Sequence, residues 1–289
     1  MIYVLYNTSA GSHYSEERIR QKLCECFSGE EISMKSTLDV DNKQAYIDAL
    51  KESDRLVVVG GDGTLNRFVN AIEDREYPFP IYCYAAGTGN DFIHDVVGTK
   101  SDELVHINEY IRKLPVICVK GKSYKFINGI GYGIDGWACE EGDKSRKRGA
   151  PNYTLIALKG LLYKFKPVNA KVTVDGVTME YKNVWMVPAM NGRYFGGGMM
   201  VTPMQDRLNE ERTLSIVVVT SRSRLKLLTA FPKIFKGKHV THTDIFKHFS
   251  GKNVAVEFDR PIALQIDGET VLGVTSYTAS GCIKSELLR

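Results

Sequence analysis

The sequence of 289 residues predicts an α/β unit built on a largely parallel sheet, followed by a β-rich unit. Three observations carry this reading. Apolar strand patterns alternate with helical periodicity as far as about Lys120, and the strands ending at Val59 and Ala85 each run into a glycine-rich turn. Beyond Lys120 the pattern changes to hairpins and short alternating strands.

Ile2 to Tyr6 reads as the first strand, and Glu16 to Phe27 as a helix with Ile19, Leu23 and Phe27 on one face. Glu31 to Ser36 is a short strand and Asn42 to Lys51 a helix. Leu56 to Val59 is an apolar strand, and Leu65, Phe68, Val69 and Ile72 then repeat at helical spacing. Ile81 to Ala85 follows with a further glycine turn and helix. Such alternation implies right-handed crossovers and a ligand crevice at the carboxyl ends of the strands. The segments NTSAGS (7–12), GGDGTLN (60–66) and AGTGND (86–91) all fall at those ends, so three loops converge on one rim.

In the second part, KFINGIGYG (125–133) is a glycine-dotted strand, followed by the basic loop KSRKRG (144–149) and a helix from Asn152 to Phe165. KVTVDGVTMEY (171–181) alternates around Asp-Gly, a hairpin signal. Val184 to Pro188, Leu214 to Thr220, Val254 to Phe258 and Ile262 to Ile266 add strands. The last strand, about Thr275 to Leu287, suits either unit.

Composition bounds the class. With 43% hydrophobic and 25% charged residues the chain reads as a soluble globular protein. A formal charge of +4 without dense Lys/Arg clusters argues against nucleic acid as a partner. The first residues lack the basic and apolar regions of a signal peptide, and no run is long enough to span a bilayer, so a cytoplasmic protein is expected. The six scattered cysteines read as reduced thiols, and His239 with His242 as part of a polar loop rather than a metal site.

The loops carry the chemistry. There is no GxxxxGK[ST] loop, and the first crossover has no GxGxxG, so a P-loop enzyme and a dinucleotide oxidoreductase are disfavoured. VVVGGDGTLN (57–66) places Asp62 in a turn suited to phosphate, where its charge would repel the ligand. Either a Mg²⁺ ion links carboxylate and phosphate, or Asp62 only caps a helix. Thr88, Gly89, Asn90 and Asp91 repeat the strand–glycine–acid–helix order, which favours the ion and a triphosphate.

With VVVGGDGTLN and AAGTGNDF (85–92) in hand, the chain resembles the diacylglycerol, sphingosine and ceramide kinase superfamily, especially its soluble bacterial diacylglycerol kinase-like members. NTSAG (7–11), NGIGYGID (128–135), YFGGGMMVTP (194–203) and IDGET (266–270) extend the resemblance over nearly the whole chain. It implies an NAD kinase- or phosphofructokinase-like nucleotide domain, residues 1–119 plus about 275–289, and a β-sandwich domain for lipid, residues 120–274. It implies ATP as phosphate donor, Mg²⁺ as cofactor and a lipid hydroxyl as acceptor. Asn7, Thr8, Ser9, Ala10, Gly11, Thr37, Gly61, Asp62, Gly63, Thr64, Leu65, Asn66 and Thr88 would then contact nucleotide. Asp62 and Asp91 would organise the metal, and Glu269 would be the general base; without the resemblance it reads as an acid after an Asp-Gly turn.

Some positions depart from the family pattern. Where a DGxL segment is usual, LNEERTLSIV (208–217) puts Glu211 for Asp and Arg212 for Gly, which unsettles a structural Mg²⁺ site formed by Leu208, Glu211 and Thr213. Arg67 stands where Glu is common. The segment LKLLTAFPKIFKGK (225–238), with Leu225, Leu228, Phe231 and Phe235, reads as a membrane-surface helix or, better given Pro232, as a helix covering a sheet. KSRKR (144–148) reads as a solvated loop or an anionic-lipid contact. The expectation is a lipid kinase, cytoplasmic or peripheral at the inner membrane face, with a homodimer left open. A NAD kinase-like enzyme, for which Asn108 and Glu109 are the relevant pair, and a regulator that binds nucleotide or lipid without turnover are the rivals.

Overall fold

A computed structural model describes residues 1–7, 15–87, 89–99, 103–145 and 153–282. The chain forms two compact units, Met1–Lys113 and Leu114–Arg289.

The first unit is a five-stranded sheet in the order β2-β1-β3-β4-β5. Strand β1 (Ile2–Tyr6) pairs in parallel with β2 (Ile32–Ser36) and β3 (Arg55–Gly60), and β3 pairs in parallel with β4 (Ile81–Ala85). The short β5 (Leu104–His106) closes the edge antiparallel to β4. Leu56, Val57, Val58 and Val59 are all buried, as a parallel strand covered on both faces requires. Helix α1 (Glu16–Cys26) starts at Ser15, whose Oγ accepts the Arg18 N–H, and buries Ile19 and Leu23. Helix α2 (Lys43–Asp48) is capped in the same way by Asn42. Helices α3 (Asp62–Asn70) and α4 (Asp91–Val97) follow β3 and β4 directly. The register sets Tyr6 beside Ser36 and Val59, and Gly60 beside Ala85, so the chain leaves all four parallel strands at one level.

The second unit is a ten-stranded sheet among the described residues. A hairpin of β6 (Val116–Val119) and β7 (Lys122–Lys125) leads into β8 (Gly129–Tyr132), then helix α5 (Ile134–Ser145). Helix α6 (Tyr153–Lys159) runs on into a π turn, Gly160–Lys164. Strands β9 (Val168–Val174) and β10 (Val177–Met186) form the expected hairpin, with Asp175 and Gly176 both at positive φ, 46° and 87°. The remaining strands are β11 (Ala189–Met190), β12 (Tyr194–Phe195), β13 (Met199–Met200) and β14 (Leu214–Thr220); helix α7 (Arg224–Ile234) precedes β15 (Phe246–Gly251), β16 (Asn253–Ile266) and β17 (Glu269–Ser280).

Two expected strands, Val254–Phe258 and Ile262–Ile266, are one strand with a bulge between Glu257 and Ile262. The first half of β16 pairs with β9 and its second half with β8, while β17 runs along its other flank. The sheet therefore closes through β16, β8, β11, β14, β10 and β9. The core inside includes Tyr132 stacked on Phe258 with ring centroids 3.8 Å apart.

The two compact units divide between Lys113 and Leu114. The division falls before the β6–β7 hairpin because Ile117 in β6 pairs with Ala279 in β17. For the same reason residues 275–280 do not return to the first sheet: their partners are β16 and β6. Residues 283–289 lie outside the described ones.

Helix α7 buries part of the face expected. Leu227, Ala230 and Ile234 are buried and Leu228 and Phe231 pack against the same core, whereas Leu225 and Phe235 are exposed. The helix covers the sheet, with Pro232 inside its last turns.

Candidate functional site

Glycine at the rim of the first unit is dictated by close backbone approach. A Cβ on Gly87 would lie 2.4 Å from the Gly61 Cα, and one on Gly60 would lie 2.5 Å from the Thr64 side chain. The two glycine loops thus touch main chain to main chain. Asn90, at φ 51°, closes the second loop on itself: its Oδ1 accepts the Gly87 N–H (3.0 Å) and its Nδ2 donates to the Gly87 carbonyl (2.9 Å).

Asn7 ends β1 and donates through Nδ2 to Thr64 Oγ1 at 3.2 Å, joining the first loop to α3. Thr37 sits just past β2, its N–H bonded to the Tyr6 carbonyl (2.8 Å). Gly61, Asp62 and Gly63 are partly accessible at the start of α3. Thr64, Leu65 and Asn66 are buried in the same helix, and Leu65 packs its side chain into the core, leaving only its backbone for a ligand. Thr8, Ser9, Ala10, Gly11 and Thr88 lie outside the described residues.

Asp62 caps a helix, but not the one it begins. Its Oδ2 accepts the Asp91 N–H (3.0 Å) and its Oδ1 the Phe92 N–H (2.9 Å), so it holds the N-terminus of α4 from the first turn of α3. Two helix starts are tied by one carboxylate, and Asp91 is buried beside it. The negative charge of Asp62 also reaches Cys83, whose thiol is pushed up to about 12, chiefly by burial. Among the described residues no group of three or more His, Cys, Asp or Glu side chains could hold a metal ion alone. A carboxylate pair beside two glycine loops at the sheet rim fits Mg²⁺, which takes one or two protein carboxylates and completes its shell with other oxygen donors and water.

In the second unit, Glu269 stands at the start of β17, exposed, just after the Asp267-Gly268 turn. What fixes that turn is Asp267, at φ 46°, whose carboxylate accepts the N–H groups of Ile127 (2.6 Å), Asn128 (2.9 Å) and Gly129 (2.9 Å). Gln265 Oε1 accepts the Gly268 N–H (2.7 Å), and Thr270 Oγ1 donates to Asp143 Oδ2 (2.8 Å). Behind the strand, the buried Arg207 donates to the Ile127 carbonyl and to Asn128 Oδ1, both at 3.2 Å. Asp267, Asn128 and Arg207 were not singled out from the sequence. Asp267 was readable as the turn residue of an Asp-Gly hairpin; the partners of Arg207 were not.

Asp135 opens the first turn of α5 with its carboxylate against Gly131, where a Cβ would lie 1.5 Å from Oδ2. Burial pushes its carboxyl up to about 6, because both oxygens are buried without a hydrogen-bond partner, and the nearby N–H dipoles of Asp135, Gly136 and Gln265 offset only part of that. The folded protein therefore holds this proton more tightly than the unfolded chain. The ionised group costs nothing below about pH 4, and the cost grows as pH rises through about 6, to on the order of 3 kcal/mol. Asp135→Asn is expected to raise stability at pH 7.5 by about 1–3 kcal/mol and to leave it unchanged near pH 4. Urea unfolding at the two values checks this, and equal shifts at both would refute the burial account.

The loop at 205–213 does not fit a divalent ion held by Leu208, Glu211 and Thr213. The Thr213 carbonyl already accepts from Gln205 Nε2 (3.0 Å) and Asn209 Nδ2 (3.1 Å), and Asn209 Oδ1 accepts the Thr213 N–H (2.8 Å) and hydroxyl (3.2 Å). Lys252 Nζ is 2.5 Å from Glu211 Oε2 and, by that hydrogen bond, holds the carboxyl below its usual range. Arg212 occupies the left-handed region at φ 53°, the conformation glycine would adopt freely. Amide and ammonium groups fill the places a cation would take. In nucleotide-free protein, EDTA and millimolar Mg²⁺ are therefore expected to give melting temperatures within about 1 °C of each other. A clear Mg²⁺-dependent rise that Glu211→Gln removes would restore the ion.

Asn108 and the two histidines at 239 and 242 are spent on structure. Asn108 Oδ1 accepts the Ile81 N–H (2.7 Å) and its Nδ2 donates to the Phe79 carbonyl (3.0 Å), fastening the start of β4. His239 is buried with Nε2 2.9 Å from the Val201 carbonyl, and burial pushes its pKa down to about 4; His242 Nε2 lies 2.6 Å from Lys233 Nζ.

Comparison with known proteins shows the family. Residues 128–282, more than half of the chain, match the YegS C-terminal NAD kinase beta sandwich-like domain, and residues 1–119 match the diacylglycerol kinase catalytic domain. A Bacillus subtilis protein named "Putative lipid kinase YtlR" is 27% identical over 77% of this chain and 76% of its own. A Mycobacterium tuberculosis diacylglycerol kinase is 27% identical over 66% of this chain and 62% of its own. Among solved structures, a diacylglycerol kinase from Bacillus anthracis shares the fold, with a TM-score of 0.65 and 21% identity, covering 96% of this chain and 93% of that one.

Proposed function

Because the chain belongs to the lipid kinase family that joins a diacylglycerol kinase catalytic domain to a YegS-type β-sandwich domain, we propose that it transfers the γ-phosphoryl group of ATP to the hydroxyl of diacylglycerol or a related lipid alcohol. The observation that carries this reading is Asp62, one carboxylate tying together two glycine loops and two helix N-termini at a sheet rim. Phosphoryl transfer asks mostly for positioning and charge neutralisation. The residues named above at that rim would supply the first, through N–H groups aimed at the triphosphate. Asp62 and Asp91 would hold Mg²⁺, which when bound neutralises charge on the phosphates.

Glu269 would take the proton of the lipid hydroxyl as its oxygen bonds to the γ-phosphorus and the bond to the bridging oxygen of ADP breaks. The three N–H groups on Asp267 keep this acid at the tip of a fixed hairpin. The protein would work in the cytoplasm and meet its lipid at the inner membrane face.

The test is transfer of radiolabelled phosphate from ATP to a panel of lipid alcohols in detergent micelles. Labelled phospholipid is the expected product. ATP binding without any labelled lipid, at high Mg²⁺, would favour a regulatory protein; conversion of NAD to NADP would favour a NAD kinase, although Asn108 is engaged by the backbone.

A further inference from the structure

Exposed large apolar side chains are not scattered evenly over the second unit. Leu155 (48% exposed), Leu158 (36%), Leu162 (46%) and Tyr163 (62%) lie within nine residues of α6 and its π turn. The first three recur at i, i+3 and i+7, so they share a helical face. Leu225, 71% exposed, begins α7 beside them in the fold, because its neighbour Arg224 donates to the carbonyls of Gly160 (3.3 Å), Leu161 (2.7 Å) and Phe165 (2.8 Å).

The helix is not waiting for a missing piece of its own core. Its inner side already buries Gly160 and Leu161; a Cβ on Gly160 would lie 2.6 Å from the Trp137 ring. Arg224 both caps the last carbonyls and sits 4.9 Å over the Trp185 ring. Between helix and sheet remains an apolar hollow of about 30 Å³, touched by Ala157, Leu161, Leu227 and Phe231, too small for an acyl chain. The outer leucines are thus held outward by a helix fixed from behind.

Charge selects the occupant of this face. From Leu155 to Lys166 the chain carries three lysines and no acid, and Lys159, Lys164 and Lys166 are all exposed. Arg260, also exposed, donates to the Lys166 carbonyl and adds a fourth cation. A second copy meeting this face through a two-fold axis would set lysine against lysine. Leucines and an interfacial tyrosine bordered by cations suit a surface of anionic headgroups over hydrocarbon.

We propose that this face, Leu155, Leu158, Leu162 and Tyr163 with Lys159, Lys164 and Lys166, docks the second unit on an anionic bilayer. The choice of a bilayer as partner rests on the lipid kinase reading; the face itself does not. It differs from the membrane segment suggested by sequence, 225–238, whose apolar side is turned into the core. No helix among the described residues is long and apolar enough to cross a membrane, so contact through helices would be at the surface.

Sedimentation with vesicles tests the proposal, using phosphatidylcholine alone and phosphatidylcholine containing about a third phosphatidylglycerol. The full chain is expected to pellet with the anionic vesicles and to be released by salt. Leu158→Ser with Leu162→Ser is expected to lower partitioning about tenfold or more. Lys159→Glu with Lys164→Glu should lower it similarly and flatten the salt dependence; this pair also keeps the test decisive if the serine variant melts early.

Wild-type partitioning by both variants would overturn the proposal, as would equal binding to neutral vesicles. So would ultracentrifugation showing that the leucine pair dissolves a dimer while vesicle binding stays intact. Phosphorylation of diacylglycerol in micelles, measured beside it, separates the two readings. Its absence with vesicle binding intact counts against the kinase reading alone, and its presence without vesicle binding counts against docking alone.

Discussion

Asp62→Asn is expected to cut lipid phosphorylation by about 100-fold or more while the protein still folds. Its two oxygens each receive a backbone N–H, from Asp91 and Phe92. Asparagine offers one carbonyl oxygen and turns an NH₂ group towards the other N–H, so one charge-assisted bond is lost and a donor faces a donor. That costs stability of about 1–3 kcal/mol, visible in urea unfolding. The larger effect comes from removing the charge that would hold Mg²⁺ at the phosphates, and ATP affinity should lose its dependence on Mg²⁺. If turnover survives while stability falls, Asp62 is a cap between two helices and no more.

Glu269→Gln separates chemistry from binding more cleanly. The side chain is exposed at the hairpin tip, so the melting temperature should hardly move. If Glu269 receives the hydroxyl proton, kcat is expected to fall by about 10² to 10⁴-fold with ATP affinity unchanged. A variant with wild-type turnover would move the base elsewhere; the three-pronged hold on Asp267 would then be purely architectural.

The parallel sheet was legible because β1, β3 and β4 are nearly continuous apolar runs and the turns that follow them contain glycine. Even the contact between the two glycine loops has a trace in the sequence, since only residues without a Cβ allow Gly61 and Gly87 to meet. The dilemma over Asp62 was not resolvable there: both readings need an acid at a loop end, and only three dimensions show it capping the helix of the next crossover. Helix α7 covers the sheet, as Pro232 favoured, and Leu228 and Phe231 pack on the core; periodicity failed only at Leu225 and Phe235, because a face containing them is as regular as the buried face of Leu227 and Ile234. Strand β6 finds its partner in β17, a pairing across most of the second unit that no local pattern encodes. The misfit of the 205–213 loop was foreshadowed by Arg212, but Asn209 and Gln205, which complete it, are common polar residues with nothing in their spacing to mark them.

Strand β16, bonded along both flanks through both of its halves, leaves little freedom for error. A slip by one residue would turn inward side chains outward on every seam it shares. The height of the acid beyond its end is therefore inherited from a whole ring of strands rather than from a two-residue corner. Loops at the mouth of such a ring can be recut while Glu269 stays where it is.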